Sequence, residues 1–491
     1  MAHTSQNIKR YSLTTSLLAV VVGIVAKLSL TSADLLPGLD GAYYWVQVRS
    51  VLSNFTLAFS DLPLIFWIQA GIAKVVGNIP LAVRISDAVL PAISAIPIYL
   101  IAKKYRKPFL PAIAILIVLL HPVQLYFFTG DFIKNEATIP VVFFMALVLV
   151  NWDKKSKRFS ILSLIGLTSL IVISHFGTLL LAFSLMGGWA LLQLRKSGLK
   201  FWLRGIAISV VAFGALLATL AILVPTRYER LVNFLTTPSV IFQNPALDRI
   251  LHSPSISVMT FAIYIGQVAS LILGVITWYS RSKFTFSDLS LVISSLITTF
   301  IFSSPFIGME WSDRLTGLST VSLSIASIII FGSVEILWQK LSVGILATVT
   351  LLSILPLSTF EMKRVFSDQE YSDFKELATH VEISNNSVVV ARHGVEYLSA
   401  WEFSTDVVLE TYYESADLSS YDSVYYIQEL HTFAPGNGGG GNGQKPAQSP
   451  NGKRPPEKGA KGDIPTDLPK KVEITGETIY SNSSFALVKV R

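Results

Sequence analysis

The chain has 491 residues, 51% of them hydrophobic and only 14% charged, with a mean hydropathy of +0.55. That apolar share is more than a soluble domain can cover with polar groups, which excludes an ordinary soluble enzyme. The net charge of +7 needs no nucleic-acid partner, because its basic residues gather in short loops between apolar runs; the absence of cysteine excludes thiol chemistry and disulfides.

In chain order, the first apolar run, Leu17 to Leu30, follows Lys9 and Arg10 and leads into further apolar segments, so it reads as a signal anchor and not a cleaved leader. Basic clusters recur at Lys103 to Lys107, Lys154 to Arg158, Arg195 to Arg204, Arg281/Lys283 and Lys340, and the positive-inside rule puts them on the cytoplasmic face. The chain must cross and return between successive clusters. This places spans at 12–31, 84–102, 108–127, 138–152, 159–173, 178–194, 203–224, 257–279, 286–303, 315–337 and 341–357, about eleven in all. Counting the apolar stretch 62–77 as another span would put every later basic cluster outside, so it is expected to be an interfacial or re-entrant helix. The N-terminus is then cytoplasmic and the C-terminus extracytoplasmic, in a multi-pass protein of the plasma membrane.

The long first external loop, 32–83, is expected to hold two amphipathic helices lying on the outer leaflet. Asp40 can cap the first of them, which runs to about Asn54 with Tyr44, Val48, Val51, Leu52 and Phe55 on one face. Tyr43, Tyr44 and Trp45 suit the water–lipid boundary. After Leu357 the character changes. Ser367-Asp368-Gln369-Glu370 is a capping box opening an amphipathic helix, and strand-like runs follow at Ser387–Ala391, Asp406–Leu409, Ser423–Ile427, Val472–Ile474 and Phe485–Val490. The Gly/Pro/Lys-rich stretch 435–469 interrupts this segment and cannot bury a core. The expected fold class is an all-α polytopic membrane bundle, residues 1–360, with a small C-terminal extracytoplasmic α/β domain, 361–491.

Charges near a membrane boundary are costly, so those that gather on one face carry a functional reading. The external face collects Asp40 and Asp61, then Asp131, Lys134 and Glu136, then His175, then Arg227, Arg230, Asp248, Arg249 and His252, and finally Glu310, Asp313 and Arg314. Acids and bases meeting at one face can deprotonate a hydroxyl and hold a phosphate. Each has a plainer alternative. Asp40 can serve as a helix cap, Asp131 as a turn residue, Lys134/Glu136 as a solvated pair, and His175 as a helix-end packing residue. Glu310 and Asp313 can pair with Arg314, and Arg227, Arg230 and Arg249 can meet lipid headgroups. Asn54-Phe55-Thr56, Asn385-Asn386-Ser387 and Asn482-Ser483-Ser484 fit the glycosylation pattern.

The run Gly38-Leu39-Asp40-Gly41-Ala42-Tyr43-Tyr44-Trp45, with Val48-Arg49-Ser50-Val51-Leu52, Asp61-Leu62-Pro63-Leu64, Val83-Arg84-Ile85 and the second acidic loop at Gly130-Asp131, resembles the GT-C superfamily of integral-membrane glycosyltransferases. That superfamily includes protein O-mannosyltransferases, aminoarabinose transferases and oligosaccharyltransferase catalytic subunits, and the resemblance covers about residues 10–360 in layout. It implies a polyprenyl-phosphate-linked sugar donor used on the external side and a protein, lipid or glycan acceptor. Asp40 matches the catalytic acid of the first loop, which would act as general base on an acceptor hydroxyl in an inverting displacement or would orient an acceptor amide, and Asp131 matches the acid of the second. The two acids together are candidates to hold a divalent cation (Mg or Mn), which some branches of the family use and others do without. An Asp-x-Asp pair is absent, since Asp131 is followed by Phe132-Ile133 and Glu136 is the nearest second acid. Lys134 and Arg314 match no motif; they are candidates for the leaving phosphate because it needs a cation. Glu136, His175, Glu310 and Asp313 complete the candidate substrate-binding set. The rival readings are a transporter or lipid flippase, and a non-catalytic scaffold.

Overall fold

The computed structural model describes residues 2–30, 35, 38, 40–105, 107, 109–130, 132–154, 156–247, 258–334, 366–384, 386–430 and 474–491. The described residues of the first ten expected spans lie almost entirely in helices, two of the spans being pairs of helices joined at a turn or a bend, because an apolar run in lipid must satisfy its backbone internally. The first is α1 (Ala2–Leu30). The loop helices α2 (Gly41–Asn54) and α3 (Leu64–Val76) follow. Next come α4 (Ile79–Val89) and α5 (Ala95–Lys103), joined by a 3₁₀ turn at Pro91–Ser94 into one passage. The pair α6 (Leu110–Leu120) and α7 (Pro122–Thr129) is bent by 46° at His121, where Pro122 cannot continue the hydrogen-bond ladder. Then come α8 (Ile133–Val150), α9 (Lys157–Ser174), α10 (Phe176–Ser197), α11 (Leu199–Leu223), the amphipathic α12 (Pro225–Thr236), α13 (Val258–Tyr279), α14 (Phe286–Phe302) and α15 (Met309–Ser333).

By length and composition, seven helices among the described residues can cross a membrane, or eight with the bent pair as one span. The expectation of about eleven also counted α11, α14 and 341–357. α14 has 17 residues, about 25 Å of helix. Residues 341–357 lie outside the described residues, as does the Gly/Pro/Lys-rich stretch 435–469. α3, at 13 residues and about 20 Å, is too short to cross about 30 Å of hydrocarbon, in keeping with its expected non-spanning role.

Two compact units organise the chain. The first comprises 1–30, 85–128 and 132–361; the second comprises 31–84, 129–131 and 362–491. The first external loop therefore groups with the C-terminal domain, a different division from a boundary at 360. In the helical unit, lipid supplies no hydrophobic drive between helices, so small and hydroxylated residues make the contacts. Thr299 Oγ1 and Ser322 Oγ meet at 2.8 Å between α14 and α15, Ser294 donates to the Leu185 carbonyl at 2.8 Å, and Gln124 donates to Thr320 at 2.7 Å. Lys104 bonds Asp288 at 2.7 Å, joining two loops that the charge rule assigns to one face.

In the second unit, the Ser367–Glu370 capping box forms as expected and opens α16 (Asp368–His380), which buries Tyr371, Phe374 and Leu377. The sheet has the order β2-β1-β3-β5-β4, with β1 (Ser387–Ala391), β2 (Asp406–Leu409), β3 (Ser423–Glu429), β4 (Glu477–Ser481) and β5 (Phe485–Lys489). β1 runs parallel to β2 and β3, and β5 is antiparallel to β3 and β4. The crossover from β1 to β2 is a helix that sequence periodicity does not flag, α17 (Val395–Phe403). Of the expected strand at 472–474, residues 472 and 473 lie outside the described residues and Ile474 is not in a strand; a strand at Glu477–Ser481 pairs across a tight turn with β5. In that turn Asn482 is used internally: its Nδ2 donates to the Asp373 carbonyl at 2.7 Å and its Oδ1 accepts from the Phe485 amide at 3.0 Å.

The aromatic trio of α2 is packed inside the protein and not exposed at its surface. Tyr43, Tyr44 and Trp45 are buried at 4%, 2% and 0% exposure, packed within the second unit against α3 and α17. Val48 and Val51 are buried as expected, but Leu52 and Phe55 are exposed. Phe55 ends α2 in the left-handed region (φ 57°), which turns it off the helical face and onto Trp67.

Candidate functional sites in the two units

In the second unit, Asp40 sits at the N-cap of α2. Its carbonyl accepts from the Tyr44 amide at 3.3 Å, but its half-buried side chain makes no capping hydrogen bond. The plain capping role is therefore not what the carboxylate does. Three residues on, Tyr43 donates its phenol proton to buried Asp61. Gln47 donates to the Tyr43 hydroxyl at 3.0 Å and to the Phe59 carbonyl at 2.9 Å, and its own carbonyl accepts from the Phe59 amide at 3.1 Å. This chain of donors has one direction, amide to phenol to carboxylate, and it fixes Asp61 against the first turns of α2.

Arg49, two turns along α2, caps the end of α17. Its guanidinium donates to the carbonyls of Ala400 (2.6 Å) and Trp401 (2.7 Å) and lies 4.8 Å from the Trp401 ring. α17 in turn brings Tyr397 to within 4.9 Å of the Tyr43 ring. At its start, His393 Nδ1 meets the fully buried Glu396 carboxylate at 2.8 Å, and Gly394 (φ 96°) makes the turn that allows this. Burial pushes the Glu396 carboxyl up, against the pull of His393. Burial first, and then the charges of Glu396, Asp40 and Asp61, hold the Tyr397 phenol well above its ordinary value. Arg392-His393-Gly394 makes a turn after β1, and Arg392 bonds Glu429.

In the helical unit, Glu136 lies in the first turn of α8 and is completely buried. Both its oxygens accept from Lys27 of α1, at 2.8 and 2.6 Å, and the Lys27 ammonium lies 4.9 Å from the Phe128 ring. The expected solvated Lys134/Glu136 pair is thus not formed by Glu136. Its partner is a lysine inside the first apolar run, Leu17 to Leu30. Lys134 is itself buried at 7%. Thr138 bonds back to the Lys134 carbonyl at 3.0 Å and meets Thr178 at 2.6 Å; His175 reaches Thr178 at 3.4 Å. Asp313 accepts from the Tyr126 hydroxyl at 3.3 Å. Arg314 lies 5.8 Å from the Phe132 ring and makes no ion pair or hydrogen bond with a described residue, so the expected pairing with Asp313 does not occur.

Asp131 lies outside the described residues, as do Asp248, Arg249, His252 and Asn385; the side chains of Glu310, Arg227 and Arg230 do too. Among the described residues no three His, Cys, Asp or Glu side chains converge as a metal cage, so they do not by themselves fit a divalent cation. Lys27, Gln47 and Tyr397 were missed at the sequence level. Only Lys27 left a signal there, as a charge inside an apolar run.

No family model matches the sequence, and no curated protein does. The fold has solved counterparts. The crystal structure of ArnT from Cupriavidus metallidurans bound to undecaprenyl phosphate matches over 85% of this chain and 93% of that one, with a TM-score of 0.56 at 10% identity. The apo ArnT structure from the same organism matches over 87% and 93%, with a TM-score of 0.49 at 12% identity. The chain is an integral membrane protein that shares its fold with ArnT.

Proposed function

We propose that the protein is a membrane glycosyltransferase that moves a sugar from a polyprenyl-phosphate donor to an acceptor hydroxyl on the extracytoplasmic face. The observation that carries the reading is Asp40: a carboxylate at a helix start that does not cap the helix, in a fold shared with a protein that binds undecaprenyl phosphate. In the proposed step Asp40 takes the acceptor O–H proton as the acceptor oxygen bonds to the anomeric carbon. The bond from that carbon to the phosphate oxygen breaks on the opposite face, its electron pair leaves with the phosphate, and the anomeric centre inverts. Arg314, stacked on Phe132, and Lys134 are the proposed cations for the leaving lipid phosphate. Asp131 remains a proposed second acid. A divalent cation (Mg or Mn) would add charge neutralisation at that phosphate, but no step here is routed through it.

The buried Lys27–Glu136 pair favours a second reading as a transporter, since intramembrane charges mark ion pathways. Both partners are sealed, however, as a clamp between two helices would be.

The test is transfer from radiolabelled polyprenyl-phosphate sugars to host-membrane acceptors in liposomes. Asp40→Asn is expected to lose about 10²–10⁴-fold in rate while remaining folded. Equal transfer by both proteins would remove Asp40 from the chemistry.

A further inference from the structure

One group in the second unit is built for a ligand that the preceding section does not use. The Tyr397 side chain is 97% covered, its exposure being 3%, with its ring held by Tyr43 at 4.9 Å, Phe59 at 5.5 Å and His393 at 5.9 Å. Yet its hydroxyl makes no hydrogen bond to any described residue, and it is not among the sealed, unsatisfied atoms of the protein. A core tyrosine either finds a partner for its hydroxyl or is replaced at no cost by phenylalanine. Here the ring is fixed from several sides, and the O–H is left without a hydrogen-bond partner among the described residues.

The surroundings define what that O–H can meet. Asp40, Asp61 and Glu396 all lie close enough for their charges to act on the phenol. They keep it protonated, hence a donor, and they repel an anion. A ligand must therefore present an oxygen that accepts from Tyr397 and, beside it, a hydroxyl that donates to a carboxylate. Adjacent hydroxyls on a neutral sugar ring meet both demands; a phosphate meets only the first, and a lone serine side chain offers one oxygen for two tasks.

We propose that Tyr397, supplied by the C-terminal domain, is an acceptor-contacting residue: it hydrogen-bonds a hydroxyl oxygen next to the one that Asp40 deprotonates, and it selects an uncharged glycan as acceptor. The proposal rests on the glycosyltransferase reading for the role of Asp40. The His393–Glu396 pair is then a positioning element. Its 2.8 Å contact anchors the first turn of α17, on which Tyr397 stands.

The test uses the full chain in nanodiscs, wild type and Tyr397→Phe, and follows thermal unfolding with three probes: a neutral methyl glycoside, the same sugar as its phosphate, and a serine-containing tripeptide. The glycoside should raise the wild-type Tm more than the other two. Tyr397→Phe should lose most of that shift while its ligand-free Tm stays put, because the hydroxyl bonds no described residue. Equal shifts in both proteins, no shift in wild type, a preference for the phosphate or the peptide, or a ligand-free Tm several degrees lower would each overturn the proposal. Kinetics give the second reading: with a glycan acceptor, Tyr397→Phe should raise the acceptor KM about tenfold and leave kcat within about threefold. A glycoside shift lost in Tyr397→Phe, without transfer from any donor, would keep the subsite and remove the transferase.

Discussion

Two buried glutamates, one in each unit, face a nitrogen at hydrogen-bond distance, and the surroundings of the nitrogen separate them. Glu136 meets Lys27 with both side chains sealed, at 0% and 1% exposure. Glu396 meets His393, whose side chain is 32% exposed. In the bundle neither water nor lipid can solvate a bare charge, so a carboxylate there must be matched completely and permanently. Lysine does this, because its charge persists across ordinary pH. In the second unit the partner reaches solvent and can titrate, so the pair can loosen with pH. The first pair acts as a fixed clamp between α1 and the first turn of α8; the second anchors the start of α17.

The largest expected effect tests the clamp. Lys27→Met leaves Glu136 buried without its ammonium and should cost about 3–5 kcal/mol in thermal or denaturant unfolding in detergent. The double variant Lys27→Met/Glu136→Leu should recover most of that loss, since packed apolar residues replace a sealed ion pair well. A single-variant loss below about 1 kcal/mol would mean that water reaches Glu136, and the contrast between the two pairs would collapse.

A middle-sized effect sharpens the other side of the comparison. α17 is held at its start by His393–Glu396 and at its end by Arg49, whose fork spans two carbonyls at 2.6 and 2.7 Å. Arg49→Lys keeps the charge but loses the fork and the stacking on Trp401, and should cost about 1–2 kcal/mol. Hydrogen exchange should show the loss confined to α17 and α2. Loss of protection spread evenly over the sheet would show that α17 is not held mainly at its two ends.

Much of this architecture was legible because it follows from solvation. Apolar runs separated by basic loops locate the helices of the bundle, and the parity of those loops already makes residues 62–77 a non-spanning helix. The capping box at Ser367 and the strands rich in Val and Tyr are local signals, and they form where expected. What sequence could not supply was partnership at long range. Lys27 and Glu136 are 109 residues apart, and Arg49 and Trp401 are 352 apart. Tyr43, Tyr44 and Trp45 look interfacial by type, and only their packing against α17 and α3 shows them to be core. α17 was missed because nine residues, most of them buried, carry little periodic signal.

The smallest expected effect concerns the His393–Glu396 pair itself. Burial raises the Glu396 carboxyl above its ordinary 4.5. A carboxyl raised on folding takes up a proton as the chain folds, so its favourable contribution is complete below about pH 4.5 and is lost as pH rises through the raised value. At neutral pH the charged form is therefore held at some cost, relieved in part by His393. Glu396→Gln removes the charge, keeps the shape and can still bond the imidazole. Its stability relative to wild type should accordingly improve as pH rises from about 4.5 towards 8, by no more than about 1 kcal/mol. The matching change at the sealed pair, Glu136→Gln, should instead destabilise at every pH in that range, because it strands the Lys27 ammonium. If both variants gave the same pH trend in parallel unfolding series, solvent access to the partner would not be what distinguishes the two pairs.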